Sequence, residues 1–230
     1  ITKEALEAVM TPKTKAIILN SPNNPTGTVL SRESLDTVKE AVLGKPIYVV
    51  CDNVYNQLSY GDCPDLALDA DLKEQLLVCQ SFSKPYAMTG WRVGYLAGPA
   101  WLIRGLVPFH AAQVASVPTF LQHACVTALQ TDVSDIREVF RLRREYVCRR
   151  LRDMGLAFPE PKGAFYVFPD ISQFADSSEE FCLRLIQEAK VAAVPGSCFG
   201  AEGHIRISCC YSMEELEKGL DRLERFLKGL

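Results

Sequence analysis

The sequence lacks the residue spacings that usually build metal centres and disulfide frameworks. It has only three histidines, and its nine cysteines form no C-x-x-C pair. Neither a zinc knuckle nor a set of disulfides is therefore indicated. No apolar run reaches about 18 residues, and no secretory leader is visible, so membrane insertion and secretion have no support. We expect reduced thiols, no metal and a cytoplasmic protein.

An excess of one charge is missing as well. Lys and Arg number 25 against 28 Asp and Glu, for a net charge of -3. This balance gives no broad basic surface, so we expect neither a nucleic acid nor a membrane as partner. One predicted helix is rich in arginine, without interleaved aromatic residues, and is interpreted as a solvated face. Its arginines are Arg141, Arg143, Arg144, Arg149, Arg150 and Arg152.

Several common catalytic loops are absent. The sequence contains no G-x-G-x-x-G dinucleotide loop and no G-x-S-x-G nucleophile elbow. Ser81 and Lys84 satisfy S-x-x-K, the pattern of penicillin-recognising serine hydrolases. The companion S-D-N and K-T-G elements of those enzymes are missing. A serine acyl hydrolase stays an alternative, but a disfavoured one.

The 230 residues, 48% of them hydrophobic, are enough to bury a sizeable core. Four short apolar runs predict buried strands, at residues 16–19, 47–51, 76–80 and 93–97. Between the first two runs, Ser31 is a candidate N-cap and Gly44 a stop signal for a helix. A strand, helix, strand unit of this length predicts a parallel sheet with covered faces.

The second half of the sequence predicts a different arrangement. A long helix over residues 134–155 is followed by a strand in "AFYVF", a helix capped by Ser177, a strand in "HIRIS" and a last helix capped by Ser212. We expect two domains. The first is 1–132, and the second is a smaller α+β domain, 133–230, which the long helix enters.

Polar loops follow the first three predicted strands: "NSPNNPTG", "DNVYNQ" and "SFSK". Because the carboxyl ends of parallel strands meet at one edge of a sheet, these loops predict a ligand site there. Lys84 would then be a partly desolvated amine, which is a competent Schiff-base nucleophile. The alternative for Lys84 alone is a surface lysine with a buried stem.

Six segments together resemble one known family. "NSPNNPTG", "DNVY", "SFSKPYAMTGWRVGYLAGP", "GAFYVFPD", "VAAVPGSCFG" and "HIRIS" are similar, in order, to motifs of the pyridoxal-phosphate-dependent aminotransferases of class I/II, the aspartate aminotransferase family. The resemblance implies an α/β protein of fold type I. The chain would hold part of the large domain, with its mostly parallel sheet, and the C-terminal α+β small domain. Roughly 150 N-terminal residues of the family would be missing.

The resemblance implies that pyridoxal 5′-phosphate is the cofactor and assigns its ligands. Lys84 matches the catalytic lysine that holds the cofactor covalently and then moves a proton. Asp52 matches the aspartate that pairs with the pyridine nitrogen, and Tyr55 and Asn24 match the donors to the phenolic oxygen. The Asn24–Pro25 bond is expected to be cis.

The remaining implied ligands are Ser81, Arg92 and Arg206. Ser81 and Arg92 match the residues that bind the cofactor phosphate, which suits a hydroxyl donor and a planar guanidinium fork. Arg206 matches the arginine that binds the α-carboxylate of the substrate, and Asn24 is expected at the substrate as well. Asn53 departs from the family, which commonly has Glu at this position.

The implied function is transfer of an amino group between an L-amino acid and a 2-oxo acid, with aspartate as one candidate donor. By resemblance, the protein would belong to amino acid metabolism and, in its full-length form, to a homodimer. Two alternatives stay open. One is a carbon-sulfur lyase of the same fold, and the other is a truncated module that binds without turnover.

Overall fold

The computed structural model describes residues 1–230. The chain divides into two compact units, described separately below. The first comprises Ile1–Pro22 and Val29–Ser134, and the second comprises Asn23–Thr28 and Asp135–Leu230. None of the helices combines the length and the apolar character that a membrane span requires.

The first unit alternates strands and helices in its N-terminal part and is helical in its C-terminal part. Its elements are α1 (Lys3–Val9), β1 (Ala16–Asn20), α2 (Arg32–Val42), β2 (Tyr48–Asp52), β3 (Leu76–Ser81), β4 (Gly94–Ala97), α3 (Ala100–Val114) and α4 (Thr119–Leu129). Helix α2 begins where the sequence predicts, because the Ser31 hydroxyl accepts a hydrogen bond from the Ser34 N–H at 3.1 Å.

The four strands form one sheet in the order β1-β2-β3-β4. Strands β1, β2 and β3 are parallel, and β4 runs antiparallel to β3. The expected mostly parallel sheet is therefore confirmed. In this register Asn20 pairs with Asp52, and Asp52 pairs with Cys79, so the carboxyl ends of the three parallel strands lie at one edge.

Only one face of this sheet is well buried. Val38 and Val42 of α2 are fully buried in one core cluster with Leu19 and Val49 of the strands. Ile18, on the alternate face of β1, is 73% exposed. All four residues of β4 are exposed. The prediction of four buried strands is thus wrong for β4 and for one face of β1, because an apolar run does not reveal which face has a packing partner.

Helix α3 is an apolar helix on the surface of the first unit. None of its 15 residues is buried. Phe109 is 72% exposed and Val114 is 61% exposed. Phe120 of α4 is exposed to 70%. Apolar side chains of this size are usually covered in a folded protein, so these helices form an unusually apolar surface.

The second unit has a small antiparallel sheet with helices. Its elements are α5 (Ser134–Asp153), β5 (Tyr166–Val167), α6 (Ser178–Arg184), β6 (Val194–Pro195), β7 (Ile205–Ser208) and α7 (Met213–Leu227). The strand order is β5-β7-β6, with both pairs antiparallel. The Ser177 and Ser212 hydroxyls cap α6 and α7 as the sequence predicts.

The charged surface of α5 is engaged within the unit. Arg150 Nη2 donates to Asp221 at 2.8 Å and to Glu224 at 3.1 Å, both on α7. Arg141 pairs with Glu138 along the helix. The Arg144 and Arg150 side chains are only 13% and 17% exposed, so the interpretation of the arginines as a solvated face is wrong for these two, which are covered by their ion-pair partners.

Residues 23–28 belong to the second unit although they follow β1 in the chain. The Gly27 carbonyl accepts hydrogen bonds from Lys162 N–H at 2.7 Å and from Gly163 N–H at 2.9 Å. Gly27 has φ +70°, and a Cβ atom here would lie 2.5 Å from Pro161 Cβ. Only glycine fits this turn, which fixes the neighbouring Asn24 in the second unit.

Candidate active site

Asp52 ends β2, and its carboxylate is held by a neighbouring strand. Asn20, the last residue of β1, donates from Nδ2 to Asp52 Oδ2 at 3.1 Å and to the Asp52 carbonyl at 3.4 Å. The parallel register places the two residues side by side. Asn20 was not among the predicted site residues, because its contact with Asp52 joins positions 32 residues apart in sequence.

The loop after Asp52 is fixed by buried polar contacts. Asn53, only 6% exposed, donates from its backbone to Cys79 O at 3.0 Å and from Nδ2 to Asp65 Oδ2 at 2.6 Å. An acidic residue at position 53 would face the Asp65 carboxylate, so the amide suits this site. Tyr55 is 3% exposed and begins a short 3-10 helix.

Lys84 lies beside this tyrosine. Its Nζ atom is 5.8 Å from the centroid of the Tyr55 ring. An ammonium at this distance from an aromatic ring is attracted to it and held in place. The structure therefore brings Lys84 and Tyr55 together, with Asp52 three residues before the tyrosine in the chain.

Ser81 and Arg92 flank the turn that contains Lys84. The Ser81 hydroxyl accepts a hydrogen bond from Ser83 N–H at 3.0 Å and lies 3.5 Å from the Val93 carbonyl. Arg92 is exposed, has φ +55°, and donates from Nη1 to Thr89 O at 3.0 Å. A guanidinium carries five N–H donors, so this fork can also bind an anion.

In the second unit, Arg206 and Asn24 contact each other directly. Arg206 Nη1 donates to Asn24 Oδ1 at 2.9 Å. The Asn24–Pro25 bond is cis, as expected. Arg206 Nε is buried and makes no hydrogen bond. The guanidinium carbon lies 4.7 Å from the Tyr166 ring centroid and 5.1 Å from that of Phe199, two residues that the sequence analysis did not identify.

The predicted site residues therefore fall into two sets. The five in the first unit are Asp52, Tyr55, Ser81, Lys84 and Arg92, and the two in the second unit are Asn24 and Arg206. In the first unit Lys84 lies beside Tyr55, and in the second unit Asn24 is hydrogen-bonded to Arg206. No cluster of three or more His, Cys, Asp or Glu side chains is positioned to hold a metal ion.

The first set suits a cofactor that carries an aldehyde, a pyridine ring and a phosphate. An amine is the group that reacts with an aldehyde, and Lys84 provides it. A carboxylate is the natural partner of a protonated ring nitrogen, and Asp52 provides it. Hydroxyl and guanidinium groups can donate hydrogen bonds to a phosphate, and Ser81 and Arg92 carry these groups. The residues present thus fit pyridoxal 5′-phosphate.

The cysteines near this site are unsuited to nucleophilic chemistry. Burial raises the pKa of the Cys51 thiol to about 12. Burial, and then the neighbouring Asp52 carboxylate, raise the pKa of the Cys79 thiol. Since the thiolate is the reactive form, both residues behave as small apolar side chains.

Comparison with known proteins extends these observations over the whole chain. The model of the family described as aminotransferase class I and II matches residues 1–223. The chain is 39% identical over 237 residues to an aromatic-amino-acid aminotransferase 2 of Thermococcus litoralis, covering 99% of this chain and 61% of the relative. It is 39% identical over 234 residues to an aspartate aminotransferase of Pyrococcus abyssi, covering 98% and 60%.

Solved structures agree with the fold. The crystal structure of an aspartate aminotransferase from Thermotoga maritima superposes with a TM-score of 0.93 at 38% identity, covering 98% of this chain and 60% of that one. The chain belongs to the class I and II aminotransferase family and has the α/β fold of its fold type I members. It spans about 60% of the length of the relatives that it matches.

Proposed function

We propose that this protein is a pyridoxal-phosphate-dependent aminotransferase that moves an amino group between an L-amino acid and a 2-oxo acid. The observation that carries the proposal is the placement of Lys84 Nζ 5.8 Å from the Tyr55 ring, in the loops at the edge where Asp52 ends β2. A lysine beside a buried phenol, with an aspartate at the end of the strand that leads to that phenol, provides the groups that this chemistry needs. The family match supports it independently.

Lys84 has two roles in this proposal. Its amine would hold the cofactor covalently and, once displaced by the substrate, Nζ would take the proton from the substrate α-carbon and pass it to the former aldehyde carbon, as amino-group transfer requires. When bound, the cofactor supplies an electron sink for the charge left on that carbon. The nearby Tyr55 ring attracts the Lys84 ammonium, which reduces the number of positions that Nζ samples.

Asp52 and Tyr55 tune the cofactor. The Asp52 carboxylate, oriented by Asn20, keeps a ring nitrogen protonated through a charge-assisted hydrogen bond. Tyr55 and Asn24 are the proposed donors to the phenolic oxygen. Ser81 and Arg92 are the proposed phosphate ligands.

Arg206 is the proposed site for the α-carboxylate of the substrate, with Asn24 beside it. A carboxylate accepts two parallel N–H bonds from one guanidinium, which fixes its orientation as well as its position. Relatives named as aspartate and aromatic-amino-acid aminotransferases support an amino acid substrate. We propose aspartate as the first donor to test.

In the full-length form of the protein, a second copy of the chain is the proposed partner. The support is helix α3, an apolar helix whose Phe109 and Val114 side chains are largely exposed. Light scattering should give the mass of a dimer, and Phe109→Glu should lower it toward that of one chain. A monomeric mass for the unaltered protein would contradict the proposed dimer.

We also propose a reducing, cytoplasmic location. Buried thiols with raised pKa, such as Cys51, are protected from oxidation and need no disulfide to pack well. Alkylation of the protein from gently lysed cells should label accessible cysteines without prior reduction.

The reaction type is tested by product analysis. The protein with pyridoxal phosphate is incubated with L-aspartate and 2-oxoglutarate, and amino and oxo products are quantified together with free ammonia. Equal amounts of new amino acid and new oxo acid support an aminotransferase. In a second incubation with an S-substituted L-cysteine, thiol, oxo acid and ammonia in equal amounts would indicate a carbon-sulfur lyase. Cofactor binding without product in either incubation would indicate a non-catalytic module.

A further inference from the structure

The guanidinium of Arg206 lies among aromatic rings. Its carbon is 4.7 Å from the Tyr166 centroid and 5.1 Å from the Phe199 centroid. Tyr166 is only 7% exposed, so little water reaches the ring where it contacts the guanidinium. Cation–π attraction is strongest where water is excluded. The two rings are therefore significant contacts for this charge.

Hydrogen bonds alone do not fix the plane of this guanidinium. A single hydrogen bond, from Nη1 to Asn24 Oδ1, would let the guanidinium plane rotate about the line that joins these two atoms. Arg206 Nε is buried and has no acceptor. A buried N–H without a partner is unfavourable, so something other than hydrogen bonding holds the side chain in this orientation. The flat faces of the two rings provide that constraint.

The rings themselves are held by other rings. Tyr166 packs against Phe165 with centroids 4.7 Å apart, and Phe165 stacks on Phe140 at 5.1 Å. Phe199 meets Phe168 edge-on at 5.8 Å. Each ring that contacts Arg206 thus has a packed neighbour, so neither can move aside without disturbing a cluster.

We infer that Tyr166 and Phe199 are positioning residues that orient the Arg206 guanidinium for a planar carboxylate. This inference rests on the proposed role of Arg206 in substrate binding. A guanidinium already held in one plane loses less freedom when a carboxylate binds, so the rings increase affinity without touching the substrate. Arg206 is the residue that binds, and the rings act through it.

The first measurement does not depend on cofactor or activity. Ring currents from Tyr166 and Phe199 should shift the Arg206 side-chain proton resonances, which are assigned by comparison with Arg206→Lys. Tyr166→Leu and Phe199→Leu should each remove part of this shift, whereas Tyr166→Phe should retain it. Phe158→Leu, which removes a ring 5.1 Å from Arg152 instead, is the matched control and should leave the Arg206 resonances unchanged.

The second measurement is affinity for maleate, a rigid dicarboxylate, in the cofactor-loaded protein. Tyr166→Leu and Phe199→Leu should weaken maleate binding by about 10-fold, and Tyr166→Phe should stay within about 2-fold of the unaltered protein. In turnover, KM for the amino acid should rise while kcat changes little.

The outcomes separate the inference from the proposed function. Unchanged maleate affinity in both leucine variants, with the ring-current shift lost, would overturn the positioning role. Equal losses in Phe158→Leu would also overturn it, since the effect would then be general destabilisation. If Arg206→Lys itself leaves maleate affinity unchanged while the ring-current shifts are present in the unaltered protein, the substrate-binding role of Arg206 fails instead.

Discussion

Asn20 Nδ2 lies 3.1 Å from Asp52 Oδ2, across the paired ends of two parallel strands. The amide fixes one carboxylate oxygen of Asp52 and leaves the other free to accept a different donor. Because both residues end regular strands, the sheet itself sets their spacing. A strand-end pair of this kind is more rigid than a pair on two loops.

We predict that Asn20→Ala weakens binding of pyridoxal phosphate by about 10-fold, because Asp52 loses a hydrogen bond to its charged form. The pH dependence of the bound cofactor's absorbance should also shift, which general loss of packing would not cause. Asn20→Asp should be worse at neutral pH, since it places a second carboxylate beside Asp52. Unchanged affinity and an unchanged pH profile in both variants would argue against a positioning role for Asn20.

Arg206→Lys should raise KM for the amino acid and for the 2-oxo acid by about 10- to 100-fold, because an ammonium cannot form the planar double hydrogen bond. Steady-state kinetics with both substrates provide the measurement. Arg152→Lys, a change at an exposed arginine of α5, is the control and should have no effect on KM. A similar KM in the Arg206 and Arg152 variants would rule out a carboxylate site at residue 206.

Two glycines of the second unit should respond to alanine in opposite directions. A Cβ atom at Gly196 would lie 2.6 Å from the His204 carbonyl oxygen, so Gly196→Ala should lower the free energy of unfolding by about 1–3 kcal/mol. Gly219, within α7, has no atom within 4 Å of its would-be Cβ. Gly219→Ala should therefore stabilise the protein by about 0.5–1 kcal/mol. Urea unfolding measures both, and effects of the same sign would contradict the packing described here.

Glu202 should make stability depend on pH. Hydrogen bonds from Ser178, and then from the Gly203 N–H, lower the pKa of its carboxyl from the ordinary value of 4.5. A lowered pKa in the folded state means that the stabilisation is present above pH 4.5 and is lost as the pH falls through the folded pKa. Glu202→Gln should therefore lower Tm at neutral pH, and the Tm difference from the unaltered protein should shrink as the pH falls below 4.5.

Thermal unfolding across this pH range provides the test for Glu202. Glu217→Gln, at an exposed position of α7, is the control. Its Tm difference from the unaltered protein should be small and should not change with pH. If the Tm difference for Glu202→Gln persists undiminished at low pH, the carboxylate is not the source of the stabilisation.

Much of the fold follows from local sequence patterns. The caps at Ser31, Ser177 and Ser212 each start a helix where the sequence predicts, because a hydroxyl satisfying a free N–H is a local effect. Leucines at positions 216, 220, 223 and 227 of α7 recur at helical spacing and are buried, whereas Leu230 lies beyond the helix and is 46% exposed. Burial was predicted less well. Whether Ile18 and the residues of β4 are buried depends on which elements pack against each face of the sheet, and an apolar run does not reveal this.

Some residues of the candidate site could be predicted from local motifs, and others could not. Lys84 and Tyr55 were identified together because their motifs are short and keep their order in the chain, and the structure places them 5.8 Å apart. Asn20, Tyr166 and Phe199 were missed because their roles depend on contacts between residues far apart in sequence. No local pattern tells which ring will face Arg206.

The central claim is that Lys84 holds the cofactor covalently, and borohydride reduction tests it most directly. The protein is loaded with pyridoxal phosphate, reduced, digested and analysed by mass spectrometry, with Lys84→Ala treated in parallel. We predict a single pyridoxyl label on the peptide that contains Lys84 and none in the variant. A label on another lysine, or equal labelling of Lys84→Ala, would contradict the account.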